Sequence, residues 1–170
     1  FSFPGSEIAY YKLSYQFEHY RPLNPWLVLK VGTDLGYGDS YGTTGDAGLP
    51  FFKNFYAGGP QSVRGYEANT LGPSYGVCIP LPPELTCVPS YLQPLGGAVK
   101  VAGTFELLFP KIFKARGTRL SAFLDYGNVF AGSFDYDAYT NPATGAVFGA
   151  DKFTFDALRA SVGVALQWQA

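Results

Sequence analysis

There is no methionine in this chain, a single histidine (His19) and only two cysteines, and charged residues make up 15% of it. Each scarcity removes a class of protein. One histidine far in sequence from Cys78 and Cys87 cannot furnish the clustered donors of a zinc site, and it leaves no partner for a serine- or cysteine-based nucleophile. A net charge of −1 with no basic cluster removes the electrostatic case for nucleic acid. Typical soluble domains carry about 25% charged residues, so a chain this poor in charge is not an ordinary soluble domain. No apolar run approaches the roughly 18 residues of a membrane-spanning helix, and a membrane protein of this composition has to cross with strands. With no methionine and no signal peptide, and opening at Phe1 in mid-pattern, the chain reads as an excised piece of a larger precursor. It contains no phosphate loop, nucleophile elbow or metal-ligand spacing, so no catalytic residue, cofactor or metal is expected and the chain reads as a non-enzyme.

What the chain has instead is aromatic residues, 18% of the total with 13 Tyr and 15 Phe, and much of it alternates. Ala9, Tyr11, Leu13, Tyr15 and Phe17 face one way while Lys12, Ser14, Gln16 and Glu18 face the other, the period of a strand. The same pattern predicts five long strands, over 7–20, 26–38, 98–109, 118–130 and 153–168, with a long loop over 39–97. Soluble strands average about five or six residues, whereas one crossing a membrane needs about 9 to 11. Short connections at Arg21–Pro25 and Pro110–Gly117 alternate with long ones, the asymmetry of outer-membrane barrels, which have short periplasmic turns and long outer loops. That orientation groups Phe17, Trp26, Phe109 and Trp168 at a periplasmic aromatic girdle. The expected fold is all-β: residues 1–170 form part of an antiparallel transmembrane β-barrel with a long extracellular loop folded inward. A soluble antiparallel barrel with an apolar interior is the competing architecture.

Residues 51–73 are too aromatic for a solvated loop and too glycine-rich for a helix. Gly58, Gly59, Gly65 and Gly72 allow turns or close approach, and Phe51, Phe52, Phe55, Tyr56 and Tyr66 need apolar surroundings. Arg64 is the one cation between Lys53 and Lys100. By the alternation, Lys12, Glu18, Lys30, Asp34, Lys100, Glu106, Arg119, Asp125 and Arg159 line the polar face. Glu106 and Asp125 lie on consecutive strands and both point inward. Paired carboxylates suggest a glycosidase, but a guanidinium is a planar fork suited to carboxylates. The more economical reading docks Arg64 between Glu106 and Asp125, folding the loop back into the lumen. Cys78 and Cys87 sit in a proline-rich excursion, as a disulfide of an oxidising compartment or as two free thiols.

The loop stretch Phe-Tyr-Ala-Gly-Gly followed by Val63-Arg64-Gly65-Tyr66 resembles the motif on the long sixth extracellular loop of the BamA family and its superfamily. Gly-Thr-Phe-Glu-Leu-Leu-Phe-Pro110 and Ala-Phe-Leu-Asp-Tyr-Gly127 resemble the family's two wall motifs, and Arg159 to Trp168 resembles its next strand. The resemblance implies that Arg64 meets Glu106 and Asp125, that Val63, Gly65 and Tyr66 shape the tip, and that Cys78 and Cys87 match a loop disulfide of some members. It covers a C-terminal part of the family barrel, without its first strand, its last strand or its soluble POTRA domains. The implied function is non-enzymatic insertion and folding of outer-membrane proteins in the bacterial outer membrane. The implied partners are outer-membrane lipids, unfolded client proteins and assembly lipoproteins, with no nucleic acid. A two-partner-secretion exporter pore of the same superfamily is the alternative; a simple porin or adhesin would not explain Arg64.

Overall fold

The computed structural model describes residues 9–42, 48–77, 92–110, 118–133, 145–148 and 152–168. Its main element is a five-stranded sheet built from β1 (Tyr10–Asn24), β2 (Leu27–Ser40), β5 (Val99–Phe109), β6 (Thr118–Phe130) and β8 (Arg159–Trp168). Every neighbouring pair is antiparallel, in the order β1-β2-β5-β6-β8. The strands are 10 to 15 residues long, enough to cross a hydrocarbon layer. Among the described residues the sheet is open, with β1 and β8 at its edges. A second, three-stranded sheet joins β3 (Ser74–Val77), β4 (Leu92–Pro94) and β7 (Gly145–Phe148), with β3 in the middle.

Register follows from the two faces. Leu13 opposes Tyr37, Leu35 opposes Val101, Phe105 opposes Leu124, and Leu124 opposes Val162. These residues form one apolar face, and Leu13, Leu35, Phe105, Leu124 and Val162 on it are exposed. A slip of one residue would turn that face inward, so the pairing is strongly specified. The opposite face is small or polar: Gly36, Gly38, Ala102, Thr104, Asp125 and Gly127.

The buried core lies on that inner face, between the sheet and the loop of residues 48–77. Leu49, Phe55, Ala57, Val63 and Leu71 from the loop pack with Ala98, Ala102 and Val129 from the sheet side. Gly36 shows why the inner face is small: a Cβ there would lie 2.5 Å from the Phe55 ring. The loop is tied to the segment before β5 by a two-way backbone bridge between Phe55 and Gly97, at 2.8 and 3.0 Å. Ala57 and Leu71 form another bridge that closes the loop on itself.

Four expectations need correction. Arg21 to Asn24 is not a turn but the end of β1, and the hairpin loop is Pro25–Trp26. Pro22 is tolerated at the end of β1, where the register becomes irregular between Pro22 and Asn24, and the Asn24 side chain accepts the Trp26 backbone N–H at 3.0 Å. The strand expected over 153–168 starts at Arg159, because Phe155–Ala157 form a 3-10 turn. The expected loop over 39–97 contains β3 and β4, whose partners are distant in sequence and leave no alternation to read. Phe17 also leaves the expected girdle: it opposes Thr33, roughly 20 Å along β1 from the Trp26 turn at about 3.3 Å per residue. Cys78 and Cys87 lie outside the described residues.

Candidate functional site: the Arg64 dock

The tip of the loop is shaped by its backbone. Gly65 has φ +88, a region L side chains rarely adopt, and it faces Ser161 of β8, whose Cβ would lie 3.3 Å from any added Cβ. Val63 is fully buried in the loop–sheet core. With Val63 anchored on one side and Gly65 turning the chain on the other, Arg64 is directed at the wall. Tyr66 donates its hydroxyl to the Ala160 carbonyl at 3.1 Å, which fixes the outgoing chain on β8.

Arg64 meets the wall with backbone and side chain together. Its backbone N–H donates to Asp125 Oδ2 at 3.0 Å, its Nε to the same oxygen at 2.6 Å, and its Nη2 to Oδ1 at 2.8 Å. That is the two-pronged guanidinium–carboxylate geometry, to which the main chain adds a third bond. Nη1 reaches Glu106 Oε1 at 3.2 Å, and Nη2 also reaches the Thr104 hydroxyl at 3.0 Å. The Thr104 hydroxyl in turn lies 2.6 Å from Asp125 Oδ1. Under the guanidinium is the Phe123 ring, its centroid 3.6 Å from Cζ, so one face of the cation is closed by an aromatic quadrupole.

Strand register accounts for this convergence. Thr104 on β5 is the direct partner of Asp125 on β6, and Glu106 is the partner of Phe123. Two adjacent inward-facing pairs therefore supply the hydroxyl, both carboxylates and the ring. Asp125 is 1% exposed and the Arg64 side chain 23%, so the dock is dry on the Asp125 side and wetter toward Glu106. The hydrogen bonds to Asp125, working against burial, raise the Arg64 pKa above the ordinary arginine range, with Glu106 adding to the effect. Lys30 and Arg119 line the cavity of about 380 Å³ next to the dock, bringing further positive charge toward Glu106.

Thr104 and Phe123 were not among the residues singled out from sequence, though a signal existed for both. Each lies on the polar face by alternation, and Phe123 is a large aromatic between Ser121 and Asp125 on that face. Other lumen charges form a separate ladder: Lys30 with Glu18 at 2.9 Å, and Lys100 with Asp34 at 2.6 Å. No cluster of metal-ligating side chains occurs among the described residues. Chemically, the dock is an electrostatic clamp. Asp125 accepts from Arg64 through both oxygens, which commits it to holding the cation rather than to moving a proton.

Long antiparallel strands with an apolar exposed face, and a loop pinned to the opposite face by a buried ion pair, define a segment of a membrane β-barrel whose lumen is entered by its own loop. Residues 1–170 match the Omp85 superfamily domain, and the chain belongs to that superfamily. It is 39% identical over 179 aligned positions to the outer membrane protein assembly factor BamA of Neisseria meningitidis serogroup B. The match covers 97% of this chain and 20% of that relative's length. The chain is thus an outer-membrane segment, and the exposed apolar face of its sheet is the face that meets lipid.

Proposed function

We propose that this chain is the loop-bearing barrel segment of an outer-membrane protein assembly factor, which inserts and folds β-barrel clients without chemical catalysis. The observation that carries this reading is the 39% identity to an assembly factor across nearly the whole chain. In this reading the Arg64 dock, with Val63, Gly65 and Tyr66 shaping the tip and Glu106 and Asp125 receiving it, holds the loop inside the lumen and stiffens the wall on which clients are assembled. Its partners are outer-membrane lipids, unfolded outer-membrane proteins and the lipoproteins of an assembly complex.

The test uses the full-length protein reconstituted in liposomes with an unfolded barrel client. Accelerated folding of the client, reduced by Arg64→Ala, is the expected result. Transport of a soluble passenger across the liposome membrane with no effect on client folding would overturn the proposal in favour of an exporter.

A further inference from the structure

We propose that Lys12 is a positioning residue that locks the root of the loop to β1 through Phe55, independently of the Arg64 dock at the tip. Lys12 points to the inner face of the sheet, and among the described residues it forms no ion pair with a carboxylate. Its ammonium instead donates to the Lys53 backbone carbonyl at 2.7 Å and stands 3.9 Å from the centroid of the Phe55 ring. For an ammonium partly removed from water, a carbonyl oxygen and an aromatic face replace some of the lost hydration. Both are supplied here by the loop.

Phe55 is itself held in place. Gly36 on β2 leaves the space it fills, the Phe55 backbone is bridged to Gly97 in both directions, and Phe55 belongs to the buried core. Asn54 adds a hydrogen bond from its side-chain amide to the Leu95 carbonyl at 2.8 Å. Root and tip are attached to different places. Phe55 sits over Gly36, whereas Arg64 meets the row through Gly32, Thr104 and Asp125, roughly 13 Å away along the strands at about 3.3 Å per residue. The loop is therefore held at two points by two cations of opposite origin: Arg64 is a loop cation on wall carboxylates, and Lys12 is a wall cation on a loop carbonyl and ring. The tip can leave its carboxylates while the root stays in place, so tip release does not free the whole loop.

Amide hydrogen exchange on the full-length protein in detergent micelles tests this without reference to client folding, so its outcome is separate from that of the assembly-factor reading. Lys12→Met keeps the aliphatic stem and removes the charge; Lys12→Arg keeps a cation. The Phe55 and Gly97 amides of Lys12→Met should exchange roughly tenfold faster, with the Arg64 amide unchanged, and Lys12→Arg should restore most of the protection. Phe55→Leu should produce a similar loss, and adding Lys12→Met to it should produce little more. Unchanged exchange at Phe55 and Gly97 in Lys12→Met would overturn the proposal. So would equal loss in Lys12→Arg, or additive losses in the double variant. If Lys12→Met does not fold, Lys12→Arg and Phe55→Leu carry the test: protection kept in the first and lost in the second supports the lock, and any other pattern refutes it.

Discussion

Replacing Arg64 by alanine is the sharpest perturbation of the dock. The change deletes four side-chain hydrogen bonds, two of them the short prongs to Asp125, and leaves Asp125, 1% exposed, with the Thr104 hydroxyl and one backbone N–H. Breaking a buried ion pair by removing one partner costs about 3 to 5 kcal/mol when the remaining charge stays dry. Arg64 is 23% exposed and Glu106 borders a cavity, so water recovers part of that loss. The lower end, about 3 kcal/mol, is the better expectation, and at 1.4 kcal/mol per factor of ten it corresponds to roughly a hundredfold shift toward the undocked loop. Limited proteolysis of the full-length protein in micelles reads this directly, because a tip withdrawn from the lumen becomes cleavable near residues 60–66. Arg64→Lys should recover only part of the docking, since an ammonium cannot offer a planar fork. Wild-type cleavage rates in Arg64→Ala would refute the reasoning, as would full rescue by lysine.

Phe123→Leu should weaken docking by about 1 kcal/mol, since it removes the cation–π face but keeps apolar cover; proteolysis of the tip measures it, and no change would show the ring to be mere packing. Gly36→Ala should cost about 1 to 3 kcal/mol by driving a methyl into the Phe55 ring, read as a lower denaturation midpoint with faster exchange at Phe55. The Arg64 pKa is raised by docking, so its contribution is fully present below the ordinary arginine range and is lost only as pH climbs through the raised value. Tip protection measured from pH 7 to pH 10 should therefore show no loss attributable to Arg64, and Arg64→Ala should have the same profile at a lower level.

The sequence by itself determined the strands and their faces. Alternation is a local property: each inward residue in β1, β2, β5, β6 and β8 could be named from its neighbours, because a pleated strand sends successive side chains to opposite sides. It also made Arg64 conspicuous, as a lone cation in an aromatic and glycine-rich stretch, with Glu106 and Asp125 as two carboxylates facing it. The end of the first hairpin was less legible, because Pro22 and Pro25 look alike in sequence and only the irregular register between Pro22 and Asn24 lets Pro22 remain in the strand. β3, β4 and β7 were invisible, since each is short and made by partners far apart in the chain.

Tertiary structure alone decided what joins Arg64 and its carboxylates in the dock, and what Lys12 touches. Thr104 joins the dock because register places it opposite Asp125, and Phe123 lies under the guanidinium because register places it opposite Glu106. Lys12, which alternation left as one lumen charge among nine, holds a carbonyl and a ring contributed by residues 53 and 55. Pattern within a strand reports which face a side chain takes. Which atoms meet on that face depends on the register between strands and on the path of a loop across them, and both are set by contacts between residues that no local window contains.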